Sequence, residues 1–381
     1  MKILYINNFL ESTGYAEAGR GMILALDAAG IDVVPQSLSF GATQIEVPKR
    51  ILELWNKSSK GCDTVIYHTL PEFIEYDGHF KNICLFASET DRICSQWVDK
   101  LNLMDEVWVI NNQSRIACLL SGVKPQINVI RHAFDTDKYS KNFQKLDQLK
   151  QYTNGDDFIF YTIGELTKRK NFAALIKAFH LEFDPDESVQ LVIKVNKPGK
   201  SKEEVFAYAN DFCGKVKEGL KIRRKYKEEI VISDHLSERQ ISQLHVSCDC
   251  FISPSYGESF CIPAWESMAF GKTPIVTDCT GFREWCDNLV GWLVPANVES
   301  CFGETKSLNY LYSANEKWWN IKVDDLRKAM REAFEKRGSL LRKEKSERGK
   351  KRANFYSYQN VGSILKDVLN GKKKSYPESI L

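Results

Sequence analysis

Two glutamates with side chains suited to chemistry, Glu258 and Glu266, stand close together in the stretch 253–281, with seven residues between them. Glu266 lies in the run AWESMA, which is typical of a helix, and the following GKTPIVT predicts a turn and a strand. In a parallel α/β sheet this order places Glu258 beyond the carboxyl ends of the strands, where ligands bind. The pair could therefore act in general acid–base chemistry or bind hydroxyl groups.

Three consecutive cations, Lys168, Arg169 and Lys170, follow the strand-like segment FIFYTIG and precede a predicted helix at 172–182. Positive charge is unfavourable at a helix N-terminus because the helix macrodipole prefers anions there. A diphosphate bound by Arg169 and Lys170 would offset that cost, since guanidinium and ammonium groups both bind phosphate oxygens. The alternative is an exposed basic loop without a ligand.

Several polar residues follow strand-like segments in the first half of the chain. Ser12 or Thr13 can cap the first helix, and Gly14 would let backbone amides approach an anion there, with a plain turn as an equal alternative. Glu89 follows an apolar strand, so its carboxylate needs either a partner or a function. A hydrogen-bonded structural role is the favoured interpretation of the other residues at such positions, His68, Asn111, Asn112 and His132.

Strand-like and helix-like segments alternate along the chain, as in the βαβ units of a parallel sheet. The polar segment 135–157 interrupts this alternation and is the predicted linker. Because 381 residues exceed one ordinary core, we expect an α/β protein with two parallel-sheet domains. Further helices are predicted at 203–227, 238–246, 324–336 and 357–369, and a less regular region at 299–319.

Composition and charge exclude several classes of protein. The formal net charge is only +3, which predicts no overall electrostatic field that would attract polyanions. The first residues, MKILYIN, are typical of a strand and not of a signal peptide, and no segment has the apolar length of a membrane span. Eleven cysteines without a CxxC pair favour a reducing, cytosolic compartment and argue against a disulfide framework or a zinc site. The basic run 336–352 is expected to be a solvated helix face, with a patch for anionic lipid headgroups as the alternative.

The stretch that contains the two glutamates resembles the hallmark of the retaining GT-B glycosyltransferases of family four, also called group 1. The resemblance rests on the spacing of Pro254, Ser255, Glu258, Phe260, Pro263, Glu266, Met268, Ala269, Gly271, Pro274 and Val276. Gly164 with Lys170 matches the phosphate-binding segment of this family, and Gly281 with Glu284 matches the pattern that follows. The segments VIRHAFDTDKY and FYSYQNV are similar to the inter-domain entry and the closing helix, so the resemblance spans almost the whole chain.

The resemblance implies two Rossmann-like domains that face each other across a cleft. Residues 1–140 would bind the acceptor, 155–352 would bind a nucleotide sugar, and a closing helix at about 357–381 would pack back on the first domain. Candidate acceptor-side residues are His68, Tyr15 and Asn111. The resemblance also implies which residues form the donor site. Glu258 would contact the sugar hydroxyls, Glu266 the ribose, and Lys170 with Arg169 the diphosphate. The other candidate donor-site residues are the amides around Ser259, Phe260 and Cys261, the turn at Gly14, and His235 with Leu236 near the base.

The implied activity is retaining transfer of a hexose from a UDP- or GDP-linked sugar to a glycan or lipid-linked acceptor, in polysaccharide biosynthesis. Glu258 and Glu89 are the candidate catalytic residues, and no metal or further cofactor is expected. The expected location is cytoplasmic, and peripheral membrane contact through 336–352 is the alternative to a solvated face. The alternatives are an epimerase or phosphorylase on the same architecture, and a catalytically silent subunit that binds sugar nucleotides.

Three residues depart from the family pattern. Glu165 stands where many members carry an arginine, and Cys261 stands where a glycine follows the phenylalanine. Glu89 stands at the strand end where many members place a histidine. Because a side chain restricts the backbone more than glycine does, Cys261 is expected to limit the approach of that loop to the phosphates.

Overall fold

A computed structural model describes residues 1–197, 199–302 and 311–372. The strands are β1 (Lys2–Asn7), β2 (Asp32–Ser37), β3 (Thr64–His68), β4 (Lys81–Phe86), β5 (Glu106–Val109), β6 (Gln126–Val129), β7 (Phe158–Glu165), β8 (Val189–Asn196), β9 (Ile230–Ile232), β10 (Cys250–Ser253), β11 (Ile275–Thr277), β12 (Trp292–Val294), β13 (Ala296–Ser300) and β14 (Lys317–Ile321). The α-helices are α1 (Gly14–Ala28), α2 (Lys49–Trp55), α3 (Ser95–Leu101), α4 (Asn112–Leu120), α5 (Phe172–Glu182), α6 (Lys202–Leu220), α7 (Glu238–Ser247), α8 (Ile262–Ala269), α9 (Val323–Glu335), α10 (Leu340–Ala353) and α11 (Tyr358–Leu369).

The chain forms two compact units, each built on a six-stranded parallel sheet. The N-terminal unit comprises Met1–Lys138 and the described parts of Ser300–Lys317 and Asn354–Leu381, and the C-terminal unit comprises Tyr139–Glu299 and Trp318–Ala353. The predicted α/β class with two Rossmann-like domains is confirmed. Strands β13 and β14 form a separate two-stranded sheet, and the rest of the region expected to be less regular lies partly outside the described residues.

The sheet of the N-terminal unit has the strand order β2-β1-β3-β4-β5-β6, and every neighbouring pair is parallel. The order reverses between β1 and β3, which makes the carboxyl ends of these two strands the switch point of the sheet. Helix α11 packs against α1 so closely that a Cβ atom on Gly362 would lie 2.3 Å from the carbonyl oxygen of Ala25. The absence of a side chain at Gly362 therefore allows the last helix to join this unit.

The sheet of the C-terminal unit has the strand order β12-β11-β10-β7-β8-β9. This is the strand order of the Rossmann fold, with the reversal between β7 and β10. Its core is apolar and includes Phe160, Leu175 and Ile252 from the sheet and α5, and Leu326 from α9. Side chains from the predicted linker also pack in this unit, since the ring of Tyr139 meets that of Phe270 at a centroid distance of 5.0 Å.

Most predicted helices match the structure closely, and one is shorter than predicted. Helix α5 spans the predicted residues 172–182, whereas the helix predicted at 203–227 ends at Leu220. Lys221 adopts a left-handed conformation, with φ 53° and ψ 29°, which ends the helix there. The prediction was wrong because the lysines and arginines that continue the helical pattern do not reveal a backbone reversal.

The basic run 336–352 forms most of α10, and one side of this helix is buried. The Nζ of Lys345 donates hydrogen bonds to the carbonyl oxygens of Asn288 and Gly291, and the guanidinium of Arg352 pairs with Asp287. The expectation of a solvated face is therefore wrong for this side, where cations satisfy buried carbonyl groups. The exposed cations of the helix are Lys343, Arg348, Lys350 and Lys351.

Two further expectations concern features of the whole chain. All eleven cysteines fall within the described ranges, and none of them forms a disulfide. Among the helices of the described ranges, none combines the length and the apolar character needed to cross a bilayer.

Candidate donor site in the C-terminal unit

The loops that follow β7 and β10 carry the candidate donor site, and they meet at the reversal of the strand order. Backbone hydrogen bonds join them directly, since the amide of Tyr256 donates to the carbonyl oxygen of Arg169 at 2.8 Å. The side-chain amide of Asn171 donates to the carbonyl oxygen of Pro254 at 3.2 Å. Asn171 itself adopts a left-handed conformation at the start of α5, which asparagine tolerates better than most residues. These contacts place Arg169 and Lys170 beside the loop that carries Glu258.

Glu258 forms ion pairs with both predicted cations. Lys170 Nζ lies 2.7 Å from Glu258 Oε1, and Arg169 Nη1 lies 3.1 Å from Glu258 Oε2. The glutamate is 4% exposed, whereas both cations are only partly buried. Arg169 also donates to the carbonyl oxygen of Gly257 at 2.6 Å. The structure therefore brings together the three charged residues that the sequence singled out for the phosphate and the sugar.

The electrostatics of the cluster keep Glu258 ionised. Burial raises the pKa of Glu258, but the charges of Arg169 and Lys170, with hydrogen bonds from Lys170 and Ser255, outweigh it and hold the pKa at about 2. A carboxylate with this pKa does not act as a general acid near neutral pH. It accepts hydrogen bonds and offers negative charge, which suits it to bind hydroxyl groups.

The backbone around Glu258 is held by the segment that follows β11. The amide of Glu258 donates to Thr280 Oγ1 at 3.1 Å, and its carbonyl oxygen accepts from the amide of Gly281 at 2.9 Å. A Cβ atom on Gly281 would lie 1.9 Å from the carbonyl oxygen of Ser259, so a glycine is needed there. Thr280 has φ 41°, an unfavourable value for a β-branched residue. Thr280 could not be selected from the sequence, because its contact with Glu258 depends on this backbone conformation.

Cys261 directly precedes α8 and adopts φ 65° and ψ 72°, a region that glycine occupies more easily. This agrees with the family pattern, in which a glycine stands at this position. The thiol is buried against Ser253 Oγ at 3.8 Å, and burial raises its pKa to about 11. Ser259 and Phe260 are also buried, and the carbonyl oxygen of Phe260 accepts from Trp285 Nε1 at 2.8 Å. The loop is thus tightly packed. The buried thiol of Cys261 has a structural role and does not suit thiolate chemistry.

Glu266 lies on α8 and is 3% exposed. Tyr139 Oη donates to Glu266 Oε1 at 3.2 Å, and His245 Nε2 lies 3.6 Å from Glu266 Oε2. His245 in turn shares a hydrogen bond of 2.7 Å with Tyr161 Oη. Sequence reasoning missed Tyr139, His245 and Tyr161 as partners of this glutamate, because they come from three separate segments.

The remaining donor-site candidates lie elsewhere. His235 and Leu236 follow β9, the edge strand, and β8 separates that strand from β7. His235 is exposed and Leu236 is buried. Glu165, the departure from the family pattern, is the last residue of β7 and is half-buried. Gly14 opens α1 in the N-terminal unit, and Thr13 is the residue that caps this helix, by accepting a hydrogen bond from Ala16.

At the switch point of the N-terminal unit, His68 is 1% exposed, and its Nδ1 shares a hydrogen bond of 2.6 Å with Tyr5 Oη. Burial, and to a lesser extent the neighbouring His132, lowers the pKa of His68 well below its usual value. Asn7 donates to the carbonyl oxygen of His68 at 2.8 Å, and Gly19 makes room for the Asn7 side chain. His68 is therefore a buried, neutral residue of a hydrogen-bonded cluster.

The other acceptor-side candidates take part in local structure. Tyr15 Oη accepts from the amide of Ala87 at 2.9 Å, and burial raises the pKa of Tyr15. Asn111 caps α4, with its Oδ1 accepting from the amide of Ser114 at 2.6 Å. The carboxylate of the half-buried Glu89 accepts from Tyr312 Oη at 3.4 Å.

Comparisons with known proteins agree with the fold and the motif. Residues 144–305 match the family model "Glycosyl transferases group 1". No curated protein matches the sequence. Anabaena Alr3699/HepE, solved in complex with UDP and glucose, superposes with a TM-score of 0.65 and 13% identity over 97% of this chain and 100% of that one.

Two further solved structures are as similar in fold. Sucrose-phosphate synthase from Thermosynechococcus elongatus has a TM-score of 0.65 and 15% identity, over 97% of this chain and 98% of that one. A glycosyltransferase from Rickettsia africae has a TM-score of 0.65 and 14% identity, with the same coverage of 97% and 98%. The two-sheet architecture is thus that of GT-B glycosyltransferases, and residues 144–305 match the group 1 glycosyltransferase family, as the sequence resemblance predicted.

Proposed function

We propose that the protein is a retaining glycosyltransferase that moves a hexose from a nucleotide sugar to a glycan or lipid-linked acceptor. The observation that carries this proposal is the cluster of Glu258, Arg169 and Lys170 at the reversal between β7 and β10. Ligands bind at such reversals in open α/β sheets. The similar fold of Anabaena Alr3699/HepE, solved with UDP and glucose, makes UDP the first nucleotide to test.

The charges of the cluster suit a nucleoside diphosphate. Arg169 and Lys170 carry two positive charges against the one negative charge of Glu258, and both cations are partly accessible. A diphosphate would share these cations with Glu258, and their charge would stabilise the leaving group as its bond to the sugar breaks. Glu258, which stays ionised at neutral pH, would accept hydrogen bonds from the sugar hydroxyls.

The same ion pairs make Glu258 a poor covalent nucleophile, because two cations hold its oxygens. We therefore favour attack by the acceptor hydroxyl on the face from which the diphosphate leaves. The bond between the anomeric carbon and the phosphate oxygen breaks, the acceptor oxygen bonds to that carbon, and the acceptor proton passes to the departing phosphate oxygen. The proposal needs no metal ion, since Arg169 and Lys170 supply the positive charge, and full activity in excess EDTA would support it.

We also propose that the N-terminal unit binds the acceptor. Glu89 is the proposed catalytic residue of this unit, where its carboxylate would steady developing positive charge on the sugar. Peripheral binding to anionic lipid would fall to the exposed cations of α10, and vesicles with and without phosphatidylglycerol test that contribution.

Nucleotide binding and donor turnover test the proposal together. Thermal melting with UDP, GDP and ADP identifies the nucleotide, because a ligand that binds only the folded state raises the melting temperature. Release of sugar from the matching nucleotide sugars is then followed by mass spectrometry in the wild type and in Glu258→Gln. A matched control is Glu229→Gln, since the side chain of Glu229 is also buried and paired, with His180 and Lys217. Turnover in Glu258→Gln at the wild-type rate would refute the assignment.

A second candidate is a subunit that binds sugar nucleotides without transferring the sugar. The observations in its favour are the ion pairs that occupy Glu258 and the side chain of Cys261 at a backbone position suited to glycine. Binding of a nucleotide with no release of sugar from any donor would favour this candidate over the transferase.

A further inference from the structure

The N-terminal unit contains a cavity of about 330 Å³ that no residue of the proposed donor site lines. Its walls come from two loops and one helix, and they include Phe40, Phe73, Glu72, Glu75 and Lys100. Ligand pockets begin at about 300 Å³, so the cavity has room for a small ligand.

Two phenylalanine rings form the apolar part of this pocket. Phe40 is 43% exposed and Phe73 is 46% exposed, and their ring centroids lie 4.9 Å apart. Exposed aromatic rings that cluster at a cavity are typical of ligand-binding surfaces. In the absence of a ligand, the hydrophobic effect would favour burial of such rings in the core.

A buried carboxylate holds the loop that carries Phe40. Glu11 is 1% exposed and accepts hydrogen bonds from the amide of Phe40 at 2.7 Å, from Ser39 Oγ at 3.2 Å and from Asn8 Nδ2 at 2.9 Å. Although burial raises the pKa of Glu11, these hydrogen bonds lower it below its usual value. The neighbouring backbone adds a hydrogen bond of 2.8 Å from the amide of Ser12 to the carbonyl oxygen of Thr43. Phe40 is therefore exposed on a loop that is fixed in place.

The opposite wall is also fixed. Lys100, from α3, donates from its Nζ to the carbonyl oxygen of Ile74 at 3.1 Å, which ties the helix to the segment after Phe73. The lysine is half-buried, and Glu75 in the same wall is exposed. The pocket thus combines two aromatic rings with carboxylates and has a preformed shape.

We propose that this pocket binds a neutral sugar ring of the acceptor glycan. Sugars present C–H groups on their ring faces and hydroxyl groups around their edges. Phe40 and Phe73 offer apolar surface for the faces, and Glu72 and Glu75 offer oxygens that accept from the hydroxyls. The exposed carboxylate of Glu75 in the wall would repel another carboxylate, so the pocket favours neutral sugars over uronic or sialic acids. This inference rests on the proposed function, of which it names the acceptor class.

Saturation-transfer difference NMR on the full chain tests the inference with the methyl α- and β-glycosides of glucose, galactose and mannose. Saturating UDP occupies the nucleotide part of the donor site, and a parallel measurement on Glu258→Gln reveals any glycoside bound in its sugar part. Methyl β-glucuronoside serves as the acidic comparison. We expect at least one neutral glycoside to bind, with affinity about tenfold weaker in Phe40→Ala and in Phe73→Ala. The matched control is Phe206→Ala, because Phe206 is a similarly exposed phenylalanine, at 49%, in the C-terminal unit.

The inference is overturned if no neutral glycoside binds, if binding survives both pocket substitutions, or if the glucuronoside binds more tightly than the neutral glycosides. Binding to lipid vesicles that depends on Phe73, without binding of any glycoside, would also overturn it. Thermal melting with UDP keeps this result separate from the proposed function. A variant that no longer binds the glycoside but still shows the UDP-induced rise in melting temperature is folded. If no nucleotide raises the melting temperature of the wild type, that result contradicts the proposed donor site and leaves the sugar pocket unaffected.

Discussion

Replacing Glu258 with glutamine should separate nucleotide binding from sugar transfer. The amide keeps the shape of the side chain but removes the negative charge beside Lys170 and Arg169, at 2.7 Å and 3.1 Å. The two cations then face a nucleotide diphosphate without a competing carboxylate. We therefore expect the variant to bind the nucleoside diphosphate more tightly than the wild type while it fails to release sugar from the donor.

The magnitude follows from the state of Glu258 in the fold. A pKa of about 2 in place of 4.5 corresponds to about 3 kcal/mol in favour of the charged form. Because Glu258 is 4% exposed, solvent screens little of this attraction. If half of this free energy becomes available to the diphosphate, the gain is about 1.5 kcal/mol, or slightly more than tenfold in the dissociation constant.

Isothermal titration calorimetry with the nucleotide chosen by thermal melting measures this change in affinity. Glu229→Gln is the control, and its dissociation constant should equal that of the wild type, because Glu229 pairs with His180 and Lys217 away from the cluster. A fall in nucleotide affinity in Glu258→Gln would refute the reasoning. It would mean that Glu258 holds the cations in place and does not compete for them.

Three further outcomes are expected. Gly281→Ala should lower the melting temperature strongly, because its Cβ would lie 1.9 Å from a backbone oxygen, whereas Gly214→Ala, inside α6 with open space, should raise it. The charge of Glu258, whose folded pKa is lowered to about 2, should stabilise the fold fully above pH 4.5, and this stabilisation should be lost as the pH falls towards 2. The difference in urea-unfolding free energy between wild type and Glu258→Gln should therefore shrink over that pH interval. Lys345→Met should cost about 1–3 kcal/mol in urea unfolding, because two carbonyl oxygens lose their donor, while Lys343→Met on the exposed side should change it by less than about 0.5 kcal/mol.

Much of the fold could be predicted because hydrophobic alternation is a local property. The strand-like segments and the helix at 172–182 appear where the sequence indicates them. The end of α6 could not be predicted in the same way, since it depends on one left-handed residue, Lys221. The burial of Lys345 was missed for a related reason. Its partners are carbonyl groups of Asn288 and Gly291, and backbone acceptors leave no mark in side-chain composition.

The charged residues of the candidate site were selected from the sequence, but their arrangement was not. Lys170 and Glu258 were chosen because each follows a strand, and the structure pairs them although 88 positions separate them in the chain. This pairing follows from the reversal between β7 and β10, which no local pattern reveals. Glu11 was not selected as a site residue, because its role depends on how the loop at Phe40 folds over it.

The central claim is that this chain breaks the bond between a sugar and a nucleotide and retains the configuration at the anomeric carbon. Time-resolved proton NMR of the sugar first formed from an α-linked nucleotide sugar tests both parts in one measurement. Our account predicts an α-configured sugar in the wild type and no sugar in Glu258→Gln. A β-configured first product, or equal turnover in both proteins, would contradict it.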